Sequence, residues 1–349
     1  MFFYTHGNLI AKKVIGIRWN KMEQDRFTKS IVLSYSPLFH LVLFRKLFHN
    51  EYIVLTAYIC FMYYIFYGFV WLIAWLPLRV LYLLSDFCYL ILYYLVGYRK
   101  KVTRANLKNS FPDKTKKEQR KIERRFYRYF CDLFVETLKL MHISPKQMNR
   151  RMVYINSEII AEQYAKGRSV MVMTSHYGNW EWTSSFSQFY PDKPVYQVYR
   201  RLKNQNFDKF MYSLRTGFGA KNIEKNETLR AMVHLKKDNK LCMFGMLSDQ
   251  TPSRNNIHYW TKFLNQDTPV ITGTEYLARK FDYPVVYISV TRQKRGYYRC
   301  EFIPITLEPK DTTDFEITER YTRMLESAIE KAPEYWLWTH KRWKHTPNS

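Results

Sequence analysis

Apolar and polar positions are unevenly distributed along the chain. Residues 52–77 read YIVLTAYICFMYYIFYGFVWLIAWLP, and no charged side chain occurs between Glu51 and Arg79. A helix of that length can cross a hydrocarbon core of roughly 30 Å. A second apolar run, Val80 to Tyr98, follows almost at once and contains Asp86 and several Tyr. That mixture fits an interfacial or re-entrant helix better than a full span. The competing reading of the pair is a buried helical hairpin in a soluble core, which the long uncharged run disfavours. The two runs together predict a membrane anchor with interfacial helices over residues 51–98. Residues 1–50 mix both charge signs with short apolar patches and show no cleavable signal peptide. They are set apart as a leader, and Met22 and Met62 as internal starts would make part of it a gene-model extension.

Beyond residue 98 the pattern becomes amphipathic. Ile122, Phe126, Phe130, Leu133, Phe134, Leu138 and Met141 recur at spacings of three and four, with Lys121, Arg124, Arg125 and Arg128 between them. This predicts a helix over 118–141 with an apolar face on the core and a basic face outward. After residue 151 short β-rich runs appear at Ser169–Thr174, Val195–Tyr199, Leu241–Leu247 and Pro284–Val290. Helical stretches lie near Asn206–Thr216, Glu227–Lys237 and Thr274–Lys280, and a last one over Glu316–Lys331 is stopped by Pro333. Strands alternating with helices predict an α/β fold, with a central, mostly parallel sheet flanked by helices, over residues 99–349.

Composition narrows the classes. The chain has 349 residues, 47% of them apolar, which excludes a disordered chain. A mean hydropathy of −0.40 excludes a many-helix transporter. Fifty-five Lys and Arg against 30 Asp and Glu give a net charge of +25. Such a charge calls for an anionic partner: nucleic acid, anionic lipid or an acidic protein. Between Arg99 and Arg151 there are 17 Lys or Arg against 5 Asp or Glu, about half the net charge, directly after the apolar anchor. A juxtamembrane basic block favours the cytoplasmic side and attracts anionic headgroups. An ordinary solvated face is the plainer reading of the basic helix taken alone.

One constellation carries chemistry. The strand ending at Thr174 runs into Ser175-His176-Tyr177-Gly178-Asn179-Trp180-Glu181-Trp182. Gly178 and Asn179 permit a tight turn, and Asn179 is a good helix N-cap. His176 then lies in the loop at the carboxyl end of a strand, where open α/β sheets bind ligands, and Glu181 in the first turn of the next helix. A carboxylate on one ring nitrogen would fix the tautomer, leaving the other to accept a substrate proton. By itself His-x4-Asp/Glu is weak, expected about once by chance in a chain with this composition. A structural pair, or no contact, is therefore also a reading of that spacing. Cys60, Cys88, Cys131, Cys242 and Cys300 are scattered, and His340 and His345 lie five apart, so no metal site is expected. No Gly-rich phosphate loop and no Gly-x-Ser-x-Gly elbow occurs.

From about Met62 to Lys344 the chain resembles the lipid A biosynthesis late acyltransferases, the lauroyl/myristoyl transferase family of Gram-negative bacteria. The blocks that carry the resemblance occur in order. They are Gly97-Tyr98-Arg99-Lys100-Lys101-Val102 with Asn106-Leu107 and Phe111-Pro112; His176 to Glu181; Tyr199-Arg200; Ser248-Asp249-Gln250; Thr268-Pro269 with Thr272-Gly273; and Pro333 to Lys344. Ser175 before the His and Tyr335-Trp336 in the last block depart from the usual family residues.

The resemblance implies a glycerolipid-acyltransferase-like fold. It implies transfer of a fatty acyl chain from acyl carrier protein to a hydroxyl of a phosphorylated glucosamine-disaccharide lipid A precursor, without metal or organic cofactor. His176 would be general base and Glu181 its support. Arg200 would stabilise the tetrahedral intermediate or a substrate phosphate, with Asp249 holding Arg200 or shaping the pocket. A structural ion pair is the alternative for those two. Arg342 would contact a substrate phosphate, and Trp336, Trp338 and Trp343 would divide between core and interfacial belt. The implied place is the inner membrane, with the catalytic domain facing the cytoplasm and membrane lipids and acyl carrier protein as partners; nucleic acid is not expected. Acyltransfer to another glycolipid or a lysophospholipid is the nearest alternative. A membrane-tethered protein binding anionic lipid or nucleic acid is the alternative from another class.

Overall fold

The computed structural model describes residues 51–347, with side chains from Met62 onward. The leader at 1–50 lies outside the described residues. One compact unit begins at Gly68.

The first apolar run is one helix, α1 (Glu51–Trp75), and Pro77 starts the next, α2 (Leu78–Leu90), which widens into π turns over Ile91–Val96. The end of α1 is held by Lys139, whose buried Nζ donates to the carbonyls of Ala74 (2.9 Å), Trp75 (3.3 Å) and Leu76 (2.8 Å). These are orphan acceptors that a helix end always leaves. Among the described residues, Leu78–Val96 is the one helix long and apolar enough to cross a membrane. Its Leu78, Leu81, Tyr82, Ser85 and Tyr89 are buried, while Leu83, Phe87, Leu90, Tyr94 and Leu95 are exposed. The helix thus has apolar residues on the protein side and on the outer side alike.

Next come α3 (Lys100–Ser110) and α4 (Lys116–Lys139). Helix α4 opens with a capping box between Thr115 and Glu118, and its apolar positions are buried as the periodicity predicts, apart from Phe134 and the half-buried Phe130. The α/β layer follows: α5 (Pro145–Arg151), β1 (Met152–Ile155), α6 (Glu158–Ala165), β2 (Val170–Thr174), a 3-10 helix (Trp182–Phe189), β3 (Val195–Tyr199), α7 (Gln205–Thr216), β4 (Lys221–Glu224), α8 (Thr228–Lys237), β5 (Met243–Leu247), the hairpin β6 (Trp260–Phe263) and β7 (Gln266–Pro269), α9 (Gly273–Phe281), β8 (Val285–Lys294), β9 (Tyr297–Thr306) and α10 (Glu316–Lys331).

Seven strands form one sheet in the order β1-β9-β8-β2-β5-β3-β4. Every pairing in it is parallel except the β8–β9 hairpin. The expected mixed α/β layer with a mostly parallel sheet is the observed one. Strand β2 lies at its centre with Val170 to Met173 buried, as parallel strands covered on both faces must be. The register aligns Thr174 with Leu247 and Val198 with Met246. The segments that follow β2, β5 and β3 therefore leave the sheet side by side at one edge.

Candidate active site

Those three segments carry Ser175-His176, Ser248-Asp249-Gln250 and Arg200. The His176 loop needs its glycine. Gly178 has φ +60°, and a Cβ there would sit 2.2 Å from the carbonyl oxygen of Val290 on β8. Asn179 closes the turn, accepting the Trp182 amide at Oδ1 (3.1 Å) and donating Nδ2 to the buried Glu136 (2.7 Å). Glu136 also accepts the hydroxyls of Tyr82 (2.8 Å) and Tyr298 (2.6 Å). Burial pushes its carboxyl above the ordinary range, against those hydrogen bonds.

The other wall of the loop is the carboxy-terminal segment. Tyr177 and Trp336 form an antiparallel bridge. The Gly178 amide donates to the Tyr335 carbonyl (3.0 Å), and the Leu337 amide donates to the His176 carbonyl (3.1 Å). That segment is itself tied down by Asn106, whose Nδ2 reaches the carbonyls of Trp338 and His340 (both 2.9 Å), and by Arg99 on Thr339 (3.0 Å). Trp343 Nε1 donates to Thr268 of the β6–β7 hairpin (2.7 Å). The separate sequence blocks thus meet around one loop.

His176 Nδ1 lies 2.8 Å from Asp249 Oδ1, and the His176 amide donates to Oδ2 (3.0 Å). A carboxylate only accepts, so Nδ1 carries the proton and Nε2 presents its lone pair. Trp336 Nε1 donates to the same Oδ2 (2.9 Å). Burial alone would raise the Asp249 carboxyl, but the neighbouring His176 and these hydrogen bonds bring it below its ordinary value. Gln250 Nε2 stands 3.2 Å from His176 Nε2, holding the lone pair where a hydroxyl could bind. The site is a buried carboxylate orienting a histidine whose second nitrogen meets the Gln250 amide rather than a carboxylate, suited to accepting a proton.

Glu181 is placed differently from the expectation. It precedes the 3-10 helix rather than opening an α-helix, and it makes no hydrogen bond to His176. Its carboxylate is taken by Arg215 of α7, with Nε to Oε2 at 2.8 Å and Nη2 to Oε1 at 2.6 Å. It also accepts Trp180 Nε1 (3.0 Å), and the Trp180 ring meets His176 edge-on with centroids 5.0 Å apart. Glu181 thus reaches His176 only through Trp180, and the direct carboxylate partner is Asp249.

One further expectation is corrected. Asp249 does not hold Arg200, because both its oxygens are engaged by His176 and Trp336; Arg200 is exposed beyond β3 with no carboxylate partner among the described residues. Arg342, expected to contact a substrate phosphate, is 2% exposed, and its Nε and Nη1 have no hydrogen-bond partner among the described residues. Burial lowers its guanidinium to about 10, while Asp249 and Tyr321 oppose the shift. Trp336 and Trp338 are core residues, and Trp343 is half-buried. Among the described residues no group of His, Cys, Asp or Glu could hold a metal.

The family of bacterial lipid A biosynthesis acyltransferases matches residues 45–345. The chain belongs to this family. It is 24% identical to the lipid A biosynthesis lauroyltransferase of Escherichia coli (strain K12) over 283 residues, 80% of this chain and 90% of that one. The lipid A biosynthesis palmitoleoyltransferase of Escherichia coli (strain K12) and the lipid A biosynthesis acyltransferase of Shigella flexneri are each 24% identical over 282 residues, again 80% of this chain and 90% of theirs. The protein is an acyltransferase.

In this acyltransferase, sequence reasoning did not pair Asp249 with His176 and gave no site role to Gln250, Arg215, Trp180 or His340. One signal was present for the pair. Asp249 follows β5 as His176 follows β2, so adjacency of those strands would have brought them together.

Proposed function

We propose that this acyltransferase moves a fatty acyl chain from the thioester of acyl carrier protein to a hydroxyl of a lipid A precursor. The observation that carries the mechanism is the Asp249–His176 pair with Nε2 free of any carboxylate. His176 Nε2 takes the acceptor hydroxyl proton as the oxygen attacks the thioester carbonyl. Asp249 stabilises the imidazolium that forms. Collapse of the tetrahedral intermediate breaks the C–S bond, and the imidazolium returns the proton to the departing thiolate. Every atom is accounted for without a metal or organic cofactor. Arg200, exposed at the same sheet edge, suits a substrate phosphate or the developing oxyanion. Glu181 and Arg215 fix Trp180 against the His176 ring.

The basic block from Arg99 to Arg151 suits the acidic surface of a carrier protein and anionic headgroups. The outward apolar stripe of α2 suits a seat in the inner membrane, with the catalytic unit on the cytoplasmic side. The test is acyl transfer from acyl carrier protein thioester to purified lipid A precursor. His176→Ala should abolish transfer by several orders of magnitude, and Asp249→Asn should lower kcat about 10³-fold or more by analogy with other carboxylate-held histidines. Unimpaired transfer by His176→Ala refutes the assignment.

A further inference from the structure

A cavity of about 890 Å³ beside the β8–β9 hairpin has no role in the transfer chemistry above. Its walls come from α2, α4 and β8–β9, and it shares Tyr335 with the strand pairing that holds the His176 loop. Four guanidinium groups line it: Arg125 and Arg128 from α4, Arg292 from β8, and Arg295 from the turn that follows. The turn is fixed by Gly296, at φ +74°, where a Cβ would meet the Tyr82 hydroxyl at 2.1 Å.

The charges in the cavity do not balance. Asp132 is shared by two arginines, taking Arg292 Nη2 at 2.8 Å and Arg295 Nη2 at 2.5 Å. Asp86 takes the rest of Arg295 at 2.7 and 2.9 Å. The outer pair is nearly unpaired. Arg125 has one 3.5 Å contact with Glu334. Arg128 lies over the Tyr89 ring, 5.2 Å from its centroid, with no carboxylate partner among the described residues. Four cations thus face three carboxylates, and the two least engaged cations stand together on one helix.

The lip of this cavity is apolar. Phe87 (59% exposed) and Leu90 (52% exposed) line it, and both belong to the outward stripe of α2 with Leu83 and Tyr94. A free phosphate would satisfy the arginines and leave the stripe bare. A neutral chain would cover the stripe and leave the arginines unpaired. An amphiphile with a phosphate at one end meets both.

We propose that this cavity binds the phosphate-bearing headgroup of a membrane lipid, with Arg125 and Arg128 on the phosphate and the lipid chains along Phe87 and Leu90. The site does not depend on His176 chemistry, so it can be tested on a His176→Ala background as well as on the active protein. The probe is full-length protein in co-flotation with vesicles of phosphatidylcholine containing phosphatidylglycerol, against phosphatidylcholine alone. Arg125→Gln/Arg128→Gln should weaken the phosphatidylglycerol-dependent binding about 30-fold, as two headgroup-facing cations would. Lys116→Gln/Lys117→Gln removes the same charge from exposed positions of α4 away from the cavity, and should weaken it threefold or less. A second arm measures KM for the lipid A precursor in neutral detergent. A rise in the arginine variant there identifies the acceptor's own phosphate as the occupant. Loss confined to the vesicles identifies bulk anionic lipid. Equal losses in the arginine and lysine variants, or no loss in either arm, overturn the site; transfer abolished by His176→Ala with that result would leave the enzymatic reading intact.

Discussion

Trp336 Nε1 donates to Asp249 Oδ2 at 2.9 Å, and both residues are buried. The last block of the sequence therefore completes the site, although it lies 160 residues beyond His176. Trp336→Phe keeps an aromatic ring and removes this donor. A hydrogen bond to a charged acceptor contributes about 1.5–3 kcal/mol, so kcat should fall by roughly tenfold to a hundredfold if most of it serves the imidazolium. This bond is one of those that lower the Asp249 carboxyl. Without it the carboxyl takes up a proton at higher pH, and the acid limb of the rate profile should move upward. An unmoved limb with a lowered melting temperature would mean that Trp336 only fills space.

The Glu181–Arg215 pair is nearly buried and bidentate, with 8% and 21% of the side chains exposed. Removing one partner of such a pair is more harmful than removing both, because the remaining charge is left without compensation. Glu181→Gln and Arg215→Met should each cost about 2 kcal/mol of stability and lower transfer by displacing Trp180. The double variant should be no worse than the more damaging single one. Additive losses in a double-mutant cycle would instead give Glu181 a role apart from Arg215.

Much of the framework could be read from residue patterns, and its legible parts share a cause. Helix α4, helix α10 and strands β2 and β8 each bury one face or both, and β3 and β5 are at least half-buried along their length, so their periodicity or apolar run records their surroundings. Strands β1, β4, β6 and β7 are four residues long, too short for alternation to register, and β9 breaks its pattern at Pro304. The site was harder. Spacing within one segment pointed from His176 to Glu181, but the carboxylate that meets Nδ1 comes from a neighbouring strand. Local sequence carries no distance between Asp249 and His176; strand order does.

Gly178 is the position where backbone freedom matters most. Its φ of +60° is costly for residues with a side chain, and a Cβ would strike the backbone of Val290 rather than a movable side chain. Gly178→Ala should destabilise the fold by about 3 kcal/mol or more and displace His176, because the Tyr335 and Leu337 hydrogen bonds flank it. Proteolysis and thermal melting check the first, and transfer activity the second. A variant with normal stability and activity would show that the loop can relax away from β8.

His340 gives the protein a specific acid sensitivity. Its Nε2 faces the Thr251 amide and hydroxyl, both at 3.4 Å. Burial is the main cause that lowers its ring to about 4, with Arg342, His176 and Lys344 acting in the same direction and Asp249 against. In the unfolded chain the ring would titrate at 6.5. Between those values the unfolded chain binds a proton that the folded one refuses, so stability rises with pH across that window. The contribution is complete above 6.5 and is lost as pH falls from 6.5 toward 4. His340→Asn cannot titrate and should melt with a smaller drop between pH 7.5 and pH 5 than the parent protein, even if it starts lower. Glu136 is pushed in the other direction, which makes the difference between the two proteins, rather than either slope alone, the decisive quantity. Parallel slopes would assign the acid sensitivity to another group.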